Sequence, residues 1–241
     1  EINTSFVDVE GDRIAIGQSF FSGSIGNDSV DVYKRGPLGV WSHEGTYRPA
    51  DNFVGDFFGF SVSLDGDLLA VGAPQEGDDP RASQIGPGAV YVYRFQNGIW
   101  NLEDKVIASD GQDGDYFGDG VEMNTTPTGW RLLVSAPDAS NDQGGINQSG
   151  AVYLIEKSAS GTIEHDKIIG STDSQVTGDL GGYGIAMEDD LVAVADIDRM
   201  YYYSITSANE FQPLSIASHS ATRFFSRPDI KNRVITAGAP L

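Results

Sequence analysis

The residues best placed to do chemistry are carboxylates. The stretch Asp110-Gly111-Gln112-Asp113-Gly114-Asp115 brings Asp110, Asp113 and Asp115 within one short segment. Carboxylates spaced by glycines can wrap oxygen ligands around Ca²⁺, so these three are the candidate metal ligands. A structural reading competes. Gly-Asp recurs at Gly55-Asp56 and Gly178-Asp179, and a repeated Gly-Asp fits a turn whose side chain caps backbone N–H groups. Nothing in the chain requires a cofactor.

A second set of polar residues lies in three long segments, Gln18–Ser29, Gln75–Gly88 and Asp138–Gly150. They offer Glu76, Asp78, Asp79 and Arg81 in one, and Asp138, Asn141, Asp142 and Asn147 in another. Mixed charge and amide groups on loops suit recognition of a polar partner; equally, they suit plain solvation. Asn-x-Ser/Thr sequons stand at Asn3, Asn27, Asn124 and Asn147 and are candidate glycan sites.

Catalysis finds little support. His43, His165 and His219 lack partner spacing, and neither His-Glu-x-x-His nor Gly-x-Ser-x-Gly occurs. His43 and His165 are expected at similar surface places. The adjacent Asp78 and Asp79 could serve glycoside hydrolysis, but neighbouring exposed acids are usually solvated charge. The Tyr91, Tyr93, Tyr153 and Tyr201–Tyr203 set is expected to pack the core rather than stack sugars.

Composition narrows the partners. The 241 residues carry 35 acids against 15 Lys and Arg, a net charge of −20. Such a field repels a phosphate backbone, so nucleic acid is not an expected partner. The chain has no cysteine, which rules out disulfides. No apolar run reaches the ~20 residues of a spanning helix. The chain starts at Glu1 without a signal-peptide pattern. It is therefore expected to be processed, excised or part of something longer.

The elements that must position these groups are repeated strands. RIAIG (Arg13–Gly17), LLAVGAP (Leu68–Pro74), RLLVSAP (Arg131–Pro137), LVAVAD (Leu191–Asp196) and VITAGAP (Val234–Pro240) are copies of one strand. Gly17, Gly72, Ser135, Ala195 and Gly238 align at spacings of 55, 63, 60 and 43 residues. Each copy, strand B, follows a strand A: Ser5–Val9, Phe58–Leu64, Phe117–Met123, Tyr183–Met187 and a degraded Phe224–Ile230. Two-residue turns such as Asp65-Gly66 join A to B, with a longer connection at Asn124–Gly129. Strand C follows at Val30–Tyr33, Ala89–Tyr93, Ala151–Ile155 and Met200–Tyr203. Strand D begins near Trp41, Trp100, Ile163 and Phe211.

Four strands per period of this size predict an all-β fold, a β-propeller of four-stranded antiparallel blades. The blades fall at about 1–50, 51–109, 110–172, 173–218 and a partial 219–241, within a single β-propeller or propeller fragment over 1–241. About four and a half repeats are present. The last copy stops after strand B, so its open edge is expected to be covered by further strands or by another chain.

Phe58-Gly59, Gly72-Ala73-Pro74 and Gly88-Ala89-Val90-Tyr91-Val92-Tyr93 together resemble the FG-GAP repeat. Phe117-Gly118, Ser135-Ala136-Pro137 and Gly150-Ala151-Val152-Tyr153 match it again; Tyr183-Gly184 stands for Phe-Gly in the fourth copy. The resemblance implies the propeller of integrin α subunits and bacterial surface proteins, usually seven-bladed. Calcium-binding members carry an Asp-rich loop between strands A and B. Here that connection is a tight turn, and Asn124–Gly129 holds no carboxylate. Integrin-type Ca²⁺ sites are not expected.

Three functions follow as expectations. The first is a non-catalytic, extracellular or cell-surface recognition or adhesion protein, binding protein or carbohydrate through its B–C loops. The second is an assembly subunit whose open last blade self-associates. The third is a hydrolase with a site in the central channel.

Overall fold

The computed structural model describes residues 3–4, 6–20, 28–51, 53, 55–77, 85–140, 149–169, 180–182, 184–196, 199–218 and 228–236. The fold is all-β and of the β-propeller class, built of four-stranded antiparallel blades. Among the described residues, no helix is long and apolar enough to cross a membrane. Two compact units divide the chain, Glu1–Thr125 and Thr126–Leu241.

The first blade holds β1 (Asn3–Thr4), β2 (Val7–Glu10), β3 (Arg13–Phe20), β4 (Ser29–Arg35) and β5 (Trp41–Tyr47). Its strand order is β1-β3-β4-β5, with β2 also on β3. Three blades then repeat a plain meander. They are β6 (Ser61–Asp65), β7 (Leu68–Ala73), β8 (Ala89–Gln96), β9 (Ile99–Val106); β10 (Gly120–Thr126), β11 (Gly129–Ala136), β12 (Ala151–Ser158), β13 (Gly161–Ile169); and β14 (Ile185–Glu188), β15 (Leu191–Ala195), β16 (Arg199–Ile205), β17 (Phe211–Ser218). A hairpin of β18 (Asp229–Lys231) and β19 (Val234–Thr236) comes last. Gly238-Ala239-Pro240 and His219 lie outside the described residues.

The expected boundaries move in four places. Phe58-Gly59 is a turn, and strand pairing starts only at Ser61. Phe57 and Gly59 take φ of 57° and 87°, which breaks the apparent strand alternation. Phe117-Gly118 does the same between Tyr116 (φ 59°) and β10. The hairpin turn is Gly66-Asp67, because Asp65 stays in the ladder opposite Leu68. Its carboxylate accepts the Thr125 N–H of the next blade's first strand. Finally, the connection expected over Asn124–Gly129 shrinks to Pro127-Thr128, since both flanking strands run longer.

The Phe-Gly place in the fourth blade also shifts. Leu180-Gly181 occupies it, not Tyr183-Gly184. Gly181 N–H donates to Ala195 O at 3.0 Å, as Gly59 N–H does to Gly72 O at 3.0 Å. Leu180 is buried and Gly181 has φ 81°. Tyr183 lies outside the described residues.

Within each unit the core is a seam between blades. In the first, Ala15, Val30 and Val32 meet Val62, Leu64, Leu69, Val71, Tyr91 and Tyr93, with Phe58 inserted. Phe58 packs edge-on to Tyr91, ring centres 5.4 Å apart, so these tyrosines are core as expected. In the second, Leu133, Val152 and Leu154 meet Ile185, Met187, Val192 and Val194, with Leu180 in the place of Phe58.

Carboxylates close the seams from the side. Asp8 accepts the Leu64 N–H at 2.6 Å. Glu188 accepts the N–H groups of Asn232 and Arg233 at 2.8 and 2.7 Å. The Arg233 amide, then that of Asn232, holds the Glu188 carboxyl below its ordinary range.

Every outer strand carries a β-bulge at one register, opposite Val32/Tyr33, Val92/Tyr93, Leu154/Ile155 and Tyr202/Tyr203. Bulges spoil a free edge for further pairing. They also re-aim a side chain. The extra residue in β5 is Glu44, which pairs with the nearly buried Arg13 at 3.1 Å. Arg13 lies 4.0 Å over the Phe95 ring. Trp100 Nε1–H donates to the same Glu44 carboxylate at 3.1 Å. His165 is the extra residue of β13, so it matches Glu44; His43 sits one residue earlier, opposite Tyr33. Trp100→Phe deletes one donor to a charged acceptor and is expected to cost about 1.5 kcal/mol in urea unfolding.

Candidate functional site

A meander blade has two ends. At one end the first-to-second connections are two residues each: 11–12, 66–67, 127–128, 189–190 and 232–233. The third-to-fourth connections at that end are also short turns, such as 97–98. The opposite end receives the long segments. They include the B–C connections 74–88 and 137–150 and the blade-to-blade crossings 48–60 and 107–119.

In the first unit this second end gathers a charged cluster. The Glu76 carboxylate, from the B–C segment, is only 4% exposed. It meets Lys105 Nζ of β9 at 2.8 Å. The same ammonium reaches Asp51, on the crossing, at 2.9 Å. It also stands 5.3 Å over the Tyr91 ring. Tyr91 Oη–H donates to Asp51 at 3.3 Å. Burial works against the Lys105 charge, but the bonds to Glu76 and Asp51 win and hold the ammonium firmly protonated. Burial likewise opposes ionisation of Asp51, and the Lys105 bond outweighs it, so its carboxyl sits low. Burial raises the Tyr91 phenol, and the Glu76 charge raises it further.

Asp56 and Asp28 stand beside this cluster and are buried. Asp56 accepts the Phe53 N–H at 2.6 Å. Burial pushes its carboxyl up to about 6; the Phe53 bond offsets part, and the Glu76 and Asp28 charges add to the rise.

The residues singled out from the sequence distribute as follows. Glu76 is turned inward onto Lys105 rather than presented on the loop. Asp78, Asp79, Arg81, Asn141 and Asp142 lie outside the described residues, as do the sequons Asn27 and Asn147. Asp138 is half-buried, and burial raises its carboxyl. Asn3 falls in β1, and Asn124 is half-buried within β10. Asp115 turns back to accept the Gln112 N–H at 2.8 Å, the bond that Asp56 makes to Phe53. Asp113 is exposed beside it and Asp110 half-buried. Among the described residues, no group of three or more His, Asp or Glu could hold a metal ion. His43 Nε2 lies 3.1 Å from Asp31, which also accepts from Thr46 and from Gln18. This cluster is on the first blade's sheet, and Gln18 stands at the end of β3 that leads into the first B–C segment.

Lys105, Asp51 and Asp28 were not singled out from the sequence. The register Tyr91↔Lys105 is what places the lysine under the loop, and it depends on the bulge one step away. The repeated Gly-Asp was the one visible signal for Asp56.

Repeated four-stranded blades with turns at one end and long loops at the other define a β-propeller protein. Residues 41–93 and 100–155 match the FG-GAP repeat, so the chain carries FG-GAP repeats over those residues. Each match runs from strand D of one blade through strand C of the next, so the repeat unit straddles the seam. No curated protein matches this chain by sequence. A crystal structure of a protein from Lactobacillus plantarum is similar in fold, with TM-score 0.55 and 15% identity over 88% of this chain. The chain spans 55% of that protein's length, and the likeness concerns fold alone.

Proposed function

We propose that the protein is a non-catalytic recognition protein, at a cell surface or outside the cell, that meets a protein or carbohydrate through its B–C loops. The observation that carries this reading is the asymmetry of the blade ends. Turns at one end are trimmed to two residues, while the connections 74–88 and 137–150, which join strands at the other end of their blades, run to 15 and 14 residues. Blade packing does not need that length, as the three-residue connection 196–198 demonstrates within the same chain. Loops on a rigid scaffold are where recognition concentrates. The net charge of −20 favours neutral or basic partners.

The test replaces residues 78–84 by Gly-Ser and probes both forms on a glycan array and a panel of immobilised extracellular-matrix proteins. The intact protein is expected to bind at least one probe. The shortened form is expected to lose about tenfold or more in affinity while its melting temperature stays within about 2 °C, since the connection 196–198 shows that a blade forms with a short link at this place. Equal binding by the two forms, or none by the intact protein, would refute the reading.

A further inference from the structure

We infer that Lys105 is a positioning residue for the loop between β7 and β8: its ammonium fixes the loop's neck and so sets how the loop is offered to a partner. The second half of that statement rests on the recognition reading above; the first does not.

The neck is a short backbone ladder. Glu76 N–H donates to Ala73 O at 3.1 Å, Gly86 N–H to Gln75 O at 3.2 Å and Gly88 N–H to Glu76 O at 3.0 Å. Its two arms touch, because a Cβ on Gly86 would fall 2.1 Å from Glu76 O. Glu76 therefore holds the neck by its backbone and points its carboxylate inward to Lys105. A buried carboxylate without a cation must find water or take up a proton. Without the ammonium the Glu76 side chain loses its bond to β9, so the neck loses its tie to that strand and, through Asp51, to the crossing. Asp51 on the crossing anchors the ammonium from its other side.

The third blade separates what the fold needs from what the loop needs. Its B–C segment has the same backbone neck, with Ala139 N–H on Ala136 O at 3.2 Å and Gly150 N–H on Ala139 O at 3.1 Å. Lys167 stands 5.4 Å over Tyr153, as Lys105 does over Tyr91. At the Glu76 position, however, stands Ala139. The blade forms without the carboxylate, so the Glu76–Lys105 pair is an addition specific to one loop.

Amide hydrogen exchange on the full chain tests this. Lys105→Met alone strands a buried charge and could unfold the blade, so the decisive variant is Lys105→Met with Glu76→Gln. Exchange at Gly86 and Gly88 is expected to accelerate about tenfold or more, while Gly59 N–H, bonded to Gly72 O at 3.0 Å, keeps its rate. Lys105→Arg, which keeps a cation within reach of both carboxylates, should restore the slow exchange. Unaltered exchange at Gly86 and Gly88, or acceleration there in step with Gly59, would overturn the inference. The same variants run on the probe panel read the recognition function separately. A loosened neck with no binding by any form, intact protein included, would retire that function and leave Lys105's role standing.

Discussion

Gly72→Ala is expected to lower the stability of the protein by about 3 kcal/mol or more, although it adds one methyl group to a strand. The added Cβ would lie 2.0 Å from Gly118 O and 2.2 Å from Ser61 Oγ. The first of these is backbone, so it cannot swing aside. Ser61 Oγ–H is itself bonded to Gly118 O at 2.7 Å, which leaves the turn nowhere to retreat. The same contact joins the preceding seam, where a Cβ on Gly17 would meet Gly59 O at 2.0 Å. In these two seams the Phe-Gly turn of a blade thus lies backbone to backbone on a glycine of the second strand of the blade before it, whereas in the fourth blade Gly181 meets Ser135 in that place. Gly11→Ala supplies the comparison. Gly11 has φ 58° but nothing within 4 Å of its Cβ, so only backbone strain remains, about 1 kcal/mol. Urea unfolding of both variants distinguishes the effects. A Gly72→Ala protein no less stable than Gly11→Ala would show that the seam yields, and that close packing of backbones is not what the motif secures.

The second strand was legible in the second, third and fourth blades because its burial there is nearly complete. LLAVGA is buried at each position of β7, and a continuous apolar run ended by Gly-Ala-Pro has few other readings. The strand before it was read too long. Phe58 is apolar because it plugs the seam from a turn, and a sequence shows that a residue is apolar, not from which backbone conformation it is buried. The fourth blade makes the same point. An aromatic-Gly pair at Tyr183-Gly184 looked like the motif, yet the junction asks only for a large apolar residue and a glycine at positive φ, and Leu180-Gly181 meets both needs.

The charged cluster was less legible for a different reason. Glu76 lies in a polar stretch, and composition alone assigns such a residue to solvent. What buries it is Lys105, which follows it by 29 positions. That pairing depends on the β8–β9 register, and the bulge between Val92 and Tyr93 resets the register within the same pair of strands. Asp51 joins from a crossing with no strand periodicity. Three segments that converge by tertiary geometry leave no common spacing in the sequence. By contrast Asp56 and Asp115 belong to a local turn, each bonding the N–H three residues before it, and the repeated Gly-Asp revealed that turn directly.

Asp56→Asn is expected to stabilise the protein at neutral pH by about 2–3 kcal/mol and to do so less and less as the solution is acidified. The wild-type carboxyl rises from 3.8 to about 6 on folding, through burial first and then through the charges of Glu76 and Asp28. Two pKa units correspond to about 3 kcal/mol. The sign follows from proton counting. Between pH 3.8 and about 6 the folded protein holds the Asp56 proton and the unfolded chain has released it, so stability from this group falls as pH rises. Its favourable share is complete below pH 3.8 and lost above about 6, where a bare carboxylate is kept buried among acids. Asparagine can still accept the Phe53 N–H through its amide oxygen and carries no charge to bury. The difference in unfolding free energy between variant and wild type should therefore be near zero at pH 4, grow through pH 5, and level off above about pH 6.5. Urea titrations at half-unit pH steps would measure it. A variant less stable than wild type at pH 7 would mean that the charged bond to Phe53, rather than burial beside Glu76 and Asp28, dominates at this position, and that the loop end tolerates its concentration of acids without strain.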